Sequence, residues 1–332
     1  MINAIDSREQ LFPWHQAALD KLNLAKRQQR LPHGLLLTAP KGWGVEHFVQ
    51  YWSQSVLCSA GDEQPCGQCK SCHLFSSSSH PDFYWIEKAE DKKQISIEQI
   101  RTLINDLHET PNLSGWRVAV VFEAEKLTMN GYNALLKTLE EPGKNTQLIL
   151  VARQRSTIPA TIISRCQHLT IAAQNQTQIA EWLAEQCSSY SDSERELALL
   201  MTHGAPLMAK TWLEQSHQTL FESVADQLLS LFEGKLSPLS IAEQKDVEPE
   251  ILLTWWELLT VYMLKSGKIS NSSANSLLLR ADKLAKNADE RLLFNFRDNI
   301  LFQLKELREG VALNLSMQLD SLANQWRRCR VH

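Results

Sequence analysis

Short apolar runs alternate with amphipathic stretches through the first half of the chain, and this alternation limits the fold more than any other feature. The apolar runs lie at 34–38, 83–86, 117–122, 147–152 and 167–171. The third and fourth runs are continuously apolar after their first residues, Arg117 and Gln147, as expected where helices cover both faces of a parallel sheet. The sequence therefore predicts a doubly wound α/β domain built on a P-loop-type parallel sheet.

The segments between these runs have the periodicity of amphipathic helices. They lie at 14–30, 46–57, 97–107 and 130–140. Ser96 and Gln99 have the spacing of a capping box at the start of the third helix. Pro142 and Gly143 mark the end of the fourth.

The strand pattern stops near residue 172, and only helical periodicity follows. Three short helices are predicted at 177–186, 193–202 and 207–215. Longer helices are predicted at 219–232, 250–265, 273–286, 290–308 and 311–328. We therefore expect three domains, namely an α/β domain at 1–172 with a cysteine-rich insert at 58–72, a small three-helix domain at 173–215 and an all-α domain at 216–332.

The charge balance argues against a nucleic-acid binder that acts alone, because such proteins are usually basic. Lys and Arg number 34 against 38 Asp and Glu, which gives a net charge of −4. The most apolar run, 251–264, contains Glu257 and is shorter than the ~20 residues of a membrane span. Residues 1–16 lack the apolar core of a signal peptide. The sequence thus predicts a soluble cytoplasmic protein.

Four of the seven cysteines lie close together, at Cys58, Cys66, Cys69 and Cys72. Four thiolates at such spacing can surround one Zn²⁺ ion tetrahedrally, and Gly67 permits a tight turn between them. Four unrelated thiols and an iron–sulfur cluster are the alternatives. We predict a closed, structural zinc site. His73 and His80 are not expected to be ligands, because four cysteines already fill the coordination shell.

The turn after the first strand has the position of a P-loop, G-x-x-x-x-G-K-[ST], but not its chemistry. Gly42 and Gly44 permit the tight turn. Three other motif positions, those of the first glycine, the lysine and the hydroxyl, are occupied by Ala39, Val45 and Glu46. A glutamate repels a triphosphate, and no lysine stands at the helix start to neutralise its charge. An ordinary strand–turn–helix corner is the alternative interpretation of the glycine pair.

The second acidic motif of an NTPase is altered as well. Where an NTPase has Asp-Glu after a hydrophobic strand, this chain has Phe122 and Glu123. A phenylalanine cannot coordinate Mg²⁺, which requires oxygen ligands. Because two parts of one catalytic site are missing, the sequence predicts a nucleotide-binding fold that does not hydrolyse nucleotide.

The stretch NALLKTLEEP at 133–142, followed by Ser-Arg-Cys at 164–166, resembles the clamp-loader branch of the AAA+ proteins. The pattern I-x-I-E-x-I-R at 95–101 and the cysteine cluster fit its bacterial version. The altered phosphate loop and the Pro-Trp pair at 13–14 resemble a loader subunit that does not hydrolyse ATP. The likeness spans about 10–210, whereas the last third of the chain matches only in length and helical character.

This resemblance implies a role for each matching residue. Arg165 would act in trans as an arginine finger on ATP bound to a neighbouring subunit. The cysteines would be the ligands of a structural zinc ion, and this chain would bind no ATP. Leu207, in the segment 204–207, stands where active relatives carry a second sensor arginine. Residues 173–215 would form the AAA+ lid, and 216–332 an oligomerisation collar.

The resemblance also implies partners. The chain would belong to a hetero-pentamer with gamma or tau ATPase subunits and a delta subunit. That complex opens the sliding clamp and loads it onto primed DNA during replication, so the chain would associate with the nucleoid at the replication fork. No membrane is involved.

Two other functions remain open. An active AAA+ ATPase would require a lysine near the phosphate loop, and only Lys41 is available there. A zinc-dependent DNA-binding module would use the cysteine cluster, with Lys92, Lys93 and Arg101 near the DNA. For these three residues a solvated face is the simpler interpretation, as a surface arginine is for Arg165 taken alone.

Overall fold

The computed structural model describes residues 11–61, 63–89, 92–113, 115–172, 176–215, 217–242, 247–266, 276–309 and 314–331. The chain forms two compact units, Met1–Trp182 and Leu183–His332. Among the described residues, no helix has both the length and the apolar character needed to cross a membrane. The finer division into three domains stays a prediction.

The first unit is built around one parallel sheet. Its strands are β1 (Gly34–Thr38), β2 (Phe83–Ile86), β3 (Arg117–Val121), β4 (Thr146–Ala152) and β5 (Gln167–Thr170). They are arranged in the order β2-β3-β4-β1-β5, and every neighbouring pair is parallel. Every residue of β1, β3 and β4 is buried, as the continuous apolar runs indicated. The predicted parallel α/β class is confirmed.

Helices connect these strands. They are α1 (Gln16–Arg27), α2 (Val45–Leu57), α3 (Lys70–Ser76), α4 (Ile97–His108), α5 (Met129–Glu140), α6 (Ala160–Ile163) and α7 (Gln176–Gln186), the last of which crosses the boundary between the units. The capping box of α4 is present, since Gln99 N donates to Ser96 Oγ and Ser96 N donates to Gln99 Oε1. The sequence analysis missed α3, whose N-cap is Cys69.

All regular elements among the described residues of the second unit are helices, which confirms the predicted change after residue 172. Its further helices are α8 (Asp192–Met201), α9 (Pro206–Glu214), α10 (His217–Phe232), α11 (Leu239–Ala242), α12 (Pro249–Ser266), α13 (Ser276–Ala285), α14 (Glu290–Glu309) and α15 (Leu315–Arg328). Trp326 is fully buried, and its indole donates to Leu228 O over 2.7 Å. The helix starts predicted at 273–275 and 311–313 lie outside the described residues.

A close approach joins β1, α5 and the turn that precedes β5. A Cβ atom on Gly34 would lie 2.8 Å from Leu139 Cδ2, 3.2 Å from Arg165 O and 3.4 Å from Cys166 Sγ. Such distances are tighter than ordinary van der Waals contact, so only glycine allows the three elements to pack this closely. The missing side chain of Gly34 therefore allows the Ser-Arg-Cys turn to approach the start of β1.

A buried carboxylate connects β2 with the loop that precedes β3. Asp82 is fully buried, and its two oxygens accept from Asn112 N at 2.6 Å and from Leu113 N at 2.8 Å. The Asp82 backbone N–H donates to His80 Nδ1 at 3.1 Å. Removal of the carboxylate would leave buried N–H groups without acceptors, which is more destabilising than losing an exposed hydrogen bond.

We predict that Asp82→Ala lowers the free energy of unfolding by about 2–4 kcal/mol, because buried backbone donors lose their acceptor. Urea unfolding of the full chain, followed by tryptophan fluorescence, measures the change. Asp20→Ala, an exposed position on α1, is the control and should change stability by less than about 0.5 kcal/mol. Equal stability of the two variants would contradict the role of Asp82.

Candidate functional site

The phosphate-loop turn lies between β1 and α2, where the sequence predicted it. Gly42 and Gly44 both have left-handed backbone conformations, with φ of +82° and +67°. Between them, the carbonyl of Trp43 accepts from Trp14 Nε1 at 2.9 Å and from His15 Nε2 at 2.8 Å. Since a carbonyl only accepts, Nε2 of His15 carries the hydrogen. The turn is thus held by side chains from the segment that precedes α1.

Aromatic side chains pack against this turn. Trp14 contacts the ring of Trp43 at 6.1 Å and that of Trp182 at 5.1 Å between centroids. Burial lowers the pKa of His15 to about 4, although its hydrogen bond to Trp43 acts in the opposite direction. His15 is therefore neutral at physiological pH and adds no positive charge beside the turn.

The first turn of α2 carries acid where a nucleotide site needs a cation. Val45 begins the helix and Glu46 follows it. Partial burial and the nearby carboxylate of Glu87 raise the pKa of Glu46, so negative charge is already disfavoured at this position. A bound triphosphate would add further repulsion. Lys41 is exposed on the turn and does not stand in the helix.

The altered acidic motif is occupied by other interactions. Glu123 follows β3 in a left-handed conformation, and its Oε1 accepts from Arg153 Nη2 at 3.0 Å. The ring of Phe122 stacks on Trp85 with centroids 5.1 Å apart. The one carboxylate left in this motif is therefore paired with a cation, and the magnesium-binding position carries an apolar ring. The sequence analysis did not identify Arg153, although its place directly after a buried strand was a usable signal.

The four clustered cysteines converge. All four Sγ atoms lie within 4.8 Å of one another. The Sγ atoms of Cys58 and Cys69 are 3.9 Å apart, as are those of Cys66 and Cys72. A tetrahedron of four metal–sulfur bonds of ~2.3 Å has sulfur–sulfur edges of ~3.8 Å. The donor set therefore fits a metal ion with tetrahedral coordination.

Backbone N–H groups point at three of these sulfur atoms. Cys66 N donates to Cys58 Sγ, Cys69 N to Cys66 Sγ and Cys72 N to Cys69 Sγ, over 3.3–3.4 Å. Burial alone would raise the pKa of Cys69, but the hydrogen bonds from Cys72 and Ser59 outweigh it and lower that pKa to about 6. These donors stabilise the thiolate, which is the form that binds metal.

The two nearby histidines differ in their surroundings. His73 is exposed on α3. His80 is buried, with Nε2 2.9 Å from Ser71 Oγ and Nδ1 accepting from Asp82 N. Both ring nitrogens of His80 are thus engaged away from the cysteines. Ser71 Oγ also donates to Leu57 O at 2.6 Å, so this buried Ser-His-Asp group is a structural network and not a hydrolase triad.

Arg165 lies in the turn between α6 and β5, and its side chain is one-third exposed. Its Nε donates to Glu140 Oε1 at 2.8 Å, and its Nη2 donates to the same oxygen. Its Nη1 donates to Thr161 O at 2.9 Å. The sequence predicted an arginine at the edge of the sheet but not its partner Glu140, which is the last residue of α5.

The remaining predicted positions are on the surface or partly buried. Lys92, Lys93 and Arg101 are exposed, as a solvated face requires. Leu207 is half-buried near the start of α9 and offers no charge.

Comparisons with known proteins agree on one family. A family model described as "DNA polymerase III, delta subunit" matches residues 14–175. The chain is 28% identical to DNA polymerase III subunit delta' of Pseudomonas aeruginosa, over 95% of this chain and 97% of that protein. It is 33% identical to DNA polymerase III subunit delta' of Haemophilus influenzae, over 75% of each chain.

A solved structure is similar as well, that of a DNA polymerase III gamma subunit-related protein from Thermotoga maritima. The TM-score is 0.46 at 18% identity, with coverage of 93% of this chain and 99% of that one. The family assignment rests on the sequence relatives, which match along most of their length. This chain belongs to the family of DNA polymerase III delta' subunits.

Proposed function

We propose that this chain is a clamp-loader subunit that hydrolyses no ATP itself and supplies Arg165 to the ATP site of a neighbouring subunit. The observation that supports the action of Arg165 on a neighbouring subunit is the position of this residue relative to the sheet. It precedes β5, whereas the chain's own phosphate turn follows β1, and these two strands are parallel neighbours. Arg165 and the turn thus lie at opposite ends of these two strands, roughly 15–20 Å apart at ~3.3 Å per residue. This separation favours an action in trans.

The proposal that the chain lacks turnover rests on three independent substitutions. Val45 and Glu46 remove the cation and the hydroxyl of the phosphate loop, and Phe122 removes an oxygen ligand for Mg²⁺. Glu123 is the remaining candidate base, but the ion pair with Arg153 holds its carboxylate. Restoring one of these groups would not restore the others.

In the proposed assembly the chain joins gamma or tau ATPase subunits and a delta subunit in a hetero-pentamer. The complex places the sliding clamp on primed DNA at the replication fork. Residues 173–215 form the lid and 216–332 the collar that holds the ring together. Because the chain carries a net charge of −4, attraction to DNA comes from the complex as a whole.

We further propose that Cys58, Cys66, Cys69 and Cys72 hold a structural zinc ion. Support comes from the sulfur–sulfur separations of 3.9 Å and from the absence of a non-cysteine ligand in the described cluster. Four protein ligands leave no open coordination position, so the ion would stabilise the fold and would not activate water.

The first prediction from this proposal concerns nucleotide binding and hydrolysis. Val45→Lys combined with Glu46→Thr should raise ATP affinity at least about tenfold, because a charge-assisted contact replaces a repulsion. The double variant should still release no phosphate, since Phe122 supplies no ligand and Arg153 holds Glu123. Titration with a fluorescent ATP analogue and a phosphate-release assay give the two readouts. Mg²⁺-dependent turnover by the unmodified chain that Lys41→Ala abolishes would favour the active-ATPase alternative instead.

The second prediction concerns Arg165. In the reconstituted loader, Arg165→Ala should slow hydrolysis at the adjacent site by on the order of 10³-fold, because developing charge on the phosphates loses its cation. Total DNA-stimulated ATPase should fall by the share of that one site, while the variant itself keeps its thermal stability. Arg291→Ala, at an exposed arginine near the start of α14 in the second unit, should change neither quantity. Unchanged single-turnover phosphate release with Arg165→Ala would remove this residue from its role.

The third prediction concerns the metal. Cys69→Ser should reduce bound zinc from about one ion per chain to a small fraction, because three thiolates remain for a four-ligand site. Zinc released by acid and measured with a chromogenic chelator gives the stoichiometry. Cys329→Ser makes the same substitution at the buried C-cap residue of α15 and should leave the zinc content unchanged. Full zinc content in Cys69→Ser, or iron with acid-labile sulfide in the unmodified chain, would contradict the assignment.

A further inference from the structure

We propose that Glu140 is the positioning residue for Arg165, and that its carboxylate holds the guanidinium in the orientation that reaches the neighbour's phosphate. This inference rests on the proposed function of Arg165. It concerns a contact between the last residue of α5 and a turn 25 positions later in the chain.

The hydrogen bonds around the guanidinium group leave room for one more acceptor. The Nε and Nη2 edge donates to Glu140 Oε1, and Nη1 donates to Thr161 O at 2.9 Å and to Ser164 Oγ at 3.4 Å. In the described part of the chain, four of the five N–H donors therefore have partners. The fifth, on Nη2, is available to a phosphate oxygen while the contact with Glu140 is kept.

The backbone on both sides of this pair is already fixed. Arg165 N donates to Ile162 O at 3.0 Å, and Glu141 N donates to Lys137 O at 2.8 Å. The absent side chain of Gly34 brings Arg165 O close to the start of β1. What is left to determine is the side-chain conformation of Arg165, which has many rotamers. Glu140 restricts these rotamers before the neighbouring subunit binds, so less side-chain conformational entropy is lost when the phosphate is bound.

The exposure of the pair separates this role from a role in folding. The side chains of Arg165 and Glu140 are 33% and 50% exposed. Ion pairs at such exposure contribute little to stability, because water and salt screen them. Loss of the Glu140 carboxylate should therefore leave the chain folded and able to assemble, and the effect should appear in catalysis.

Glu140→Ala in the reconstituted loader is the test. At the site served by Arg165, kcat for ATP hydrolysis should fall on the order of tenfold, while KM for ATP stays the same, because the chemical step loses its oriented cation. Glu140→Gln should recover much of the rate, since its amide oxygen still accepts from Nε and Nη2. Glu141→Ala is the matched control, because it removes the same charge from the adjacent exposed residue, and it should behave as the unmodified loader.

A double-mutant cycle makes the test decisive. If Glu140 acts through Arg165, adding Glu140→Ala to Arg165→Ala should cause no further loss. Independent, multiplying losses would overturn the inference, as would a Glu140→Ala variant that is as fast as the unmodified loader or faster. An Arg165→Ala variant with full activity would overturn the proposed function and this inference with it. Full loss on Arg165→Ala beside no loss on Glu140→Ala would overturn the inference alone.

Discussion

The parallel pairing of β1 with β5 is the constraint on which the functional interpretation depends. In a parallel pair both strands run in the same direction. The segment before one strand and the segment after its neighbour therefore lie at opposite ends of the pair. Arg165 comes before β5 and the phosphate turn comes after β1. No rotation of the arginine side chain can bridge that separation. The phosphate turn and Arg165 thus lie at opposite ends of the strands of one sheet, and the action in trans proposed for Arg165 fits this separation.

The phosphate turn has a left-handed backbone at both of its glycines, although the lysine and hydroxyl positions of the motif are Val45 and Glu46. Gly42 and Gly44 still have left-handed φ angles, so the turn remains a structural requirement of the strand–turn–helix unit. The hydrogen bonds from Trp14 and His15 to the Trp43 carbonyl supply local fixation. In an active site a bound phosphate would supply comparable fixation through backbone N–H groups. Contacts within the chain therefore fix the turn as a phosphate would in a nucleotide site, which fits the function proposed above.

The sequence predicted those parts of the molecule that depend on residues near one another in the chain. The capping box of Ser96 and Gln99 and the cysteine spacing are local patterns, and both are present in the structure. The pairs Glu123–Arg153 and Glu140–Arg165 join residues 30 and 25 positions apart, so they depend on tertiary packing that no periodicity encodes. Helix α3 was missed because its seven residues include a metal-ligand candidate and too few apolar positions to show a helical period.

The cysteine cluster joins helices α2 and α3, which are also linked by the hydrogen bond from Ser71 Oγ to Leu57 O. Cys58 is the C-cap of α2, and Cys69 is the N-cap of α3. From α3, Phe75 packs on Phe83 of the edge strand β2, with ring centroids 4.6 Å apart. An edge strand has pairing groups on only one side, so it depends on such side-chain contacts more than a central strand does. An ion bound by the cysteines would therefore act on β2 through α3. This edge strand lies on the side of the sheet away from β5, so the structural effect of the ion is separate from the role proposed for Arg165.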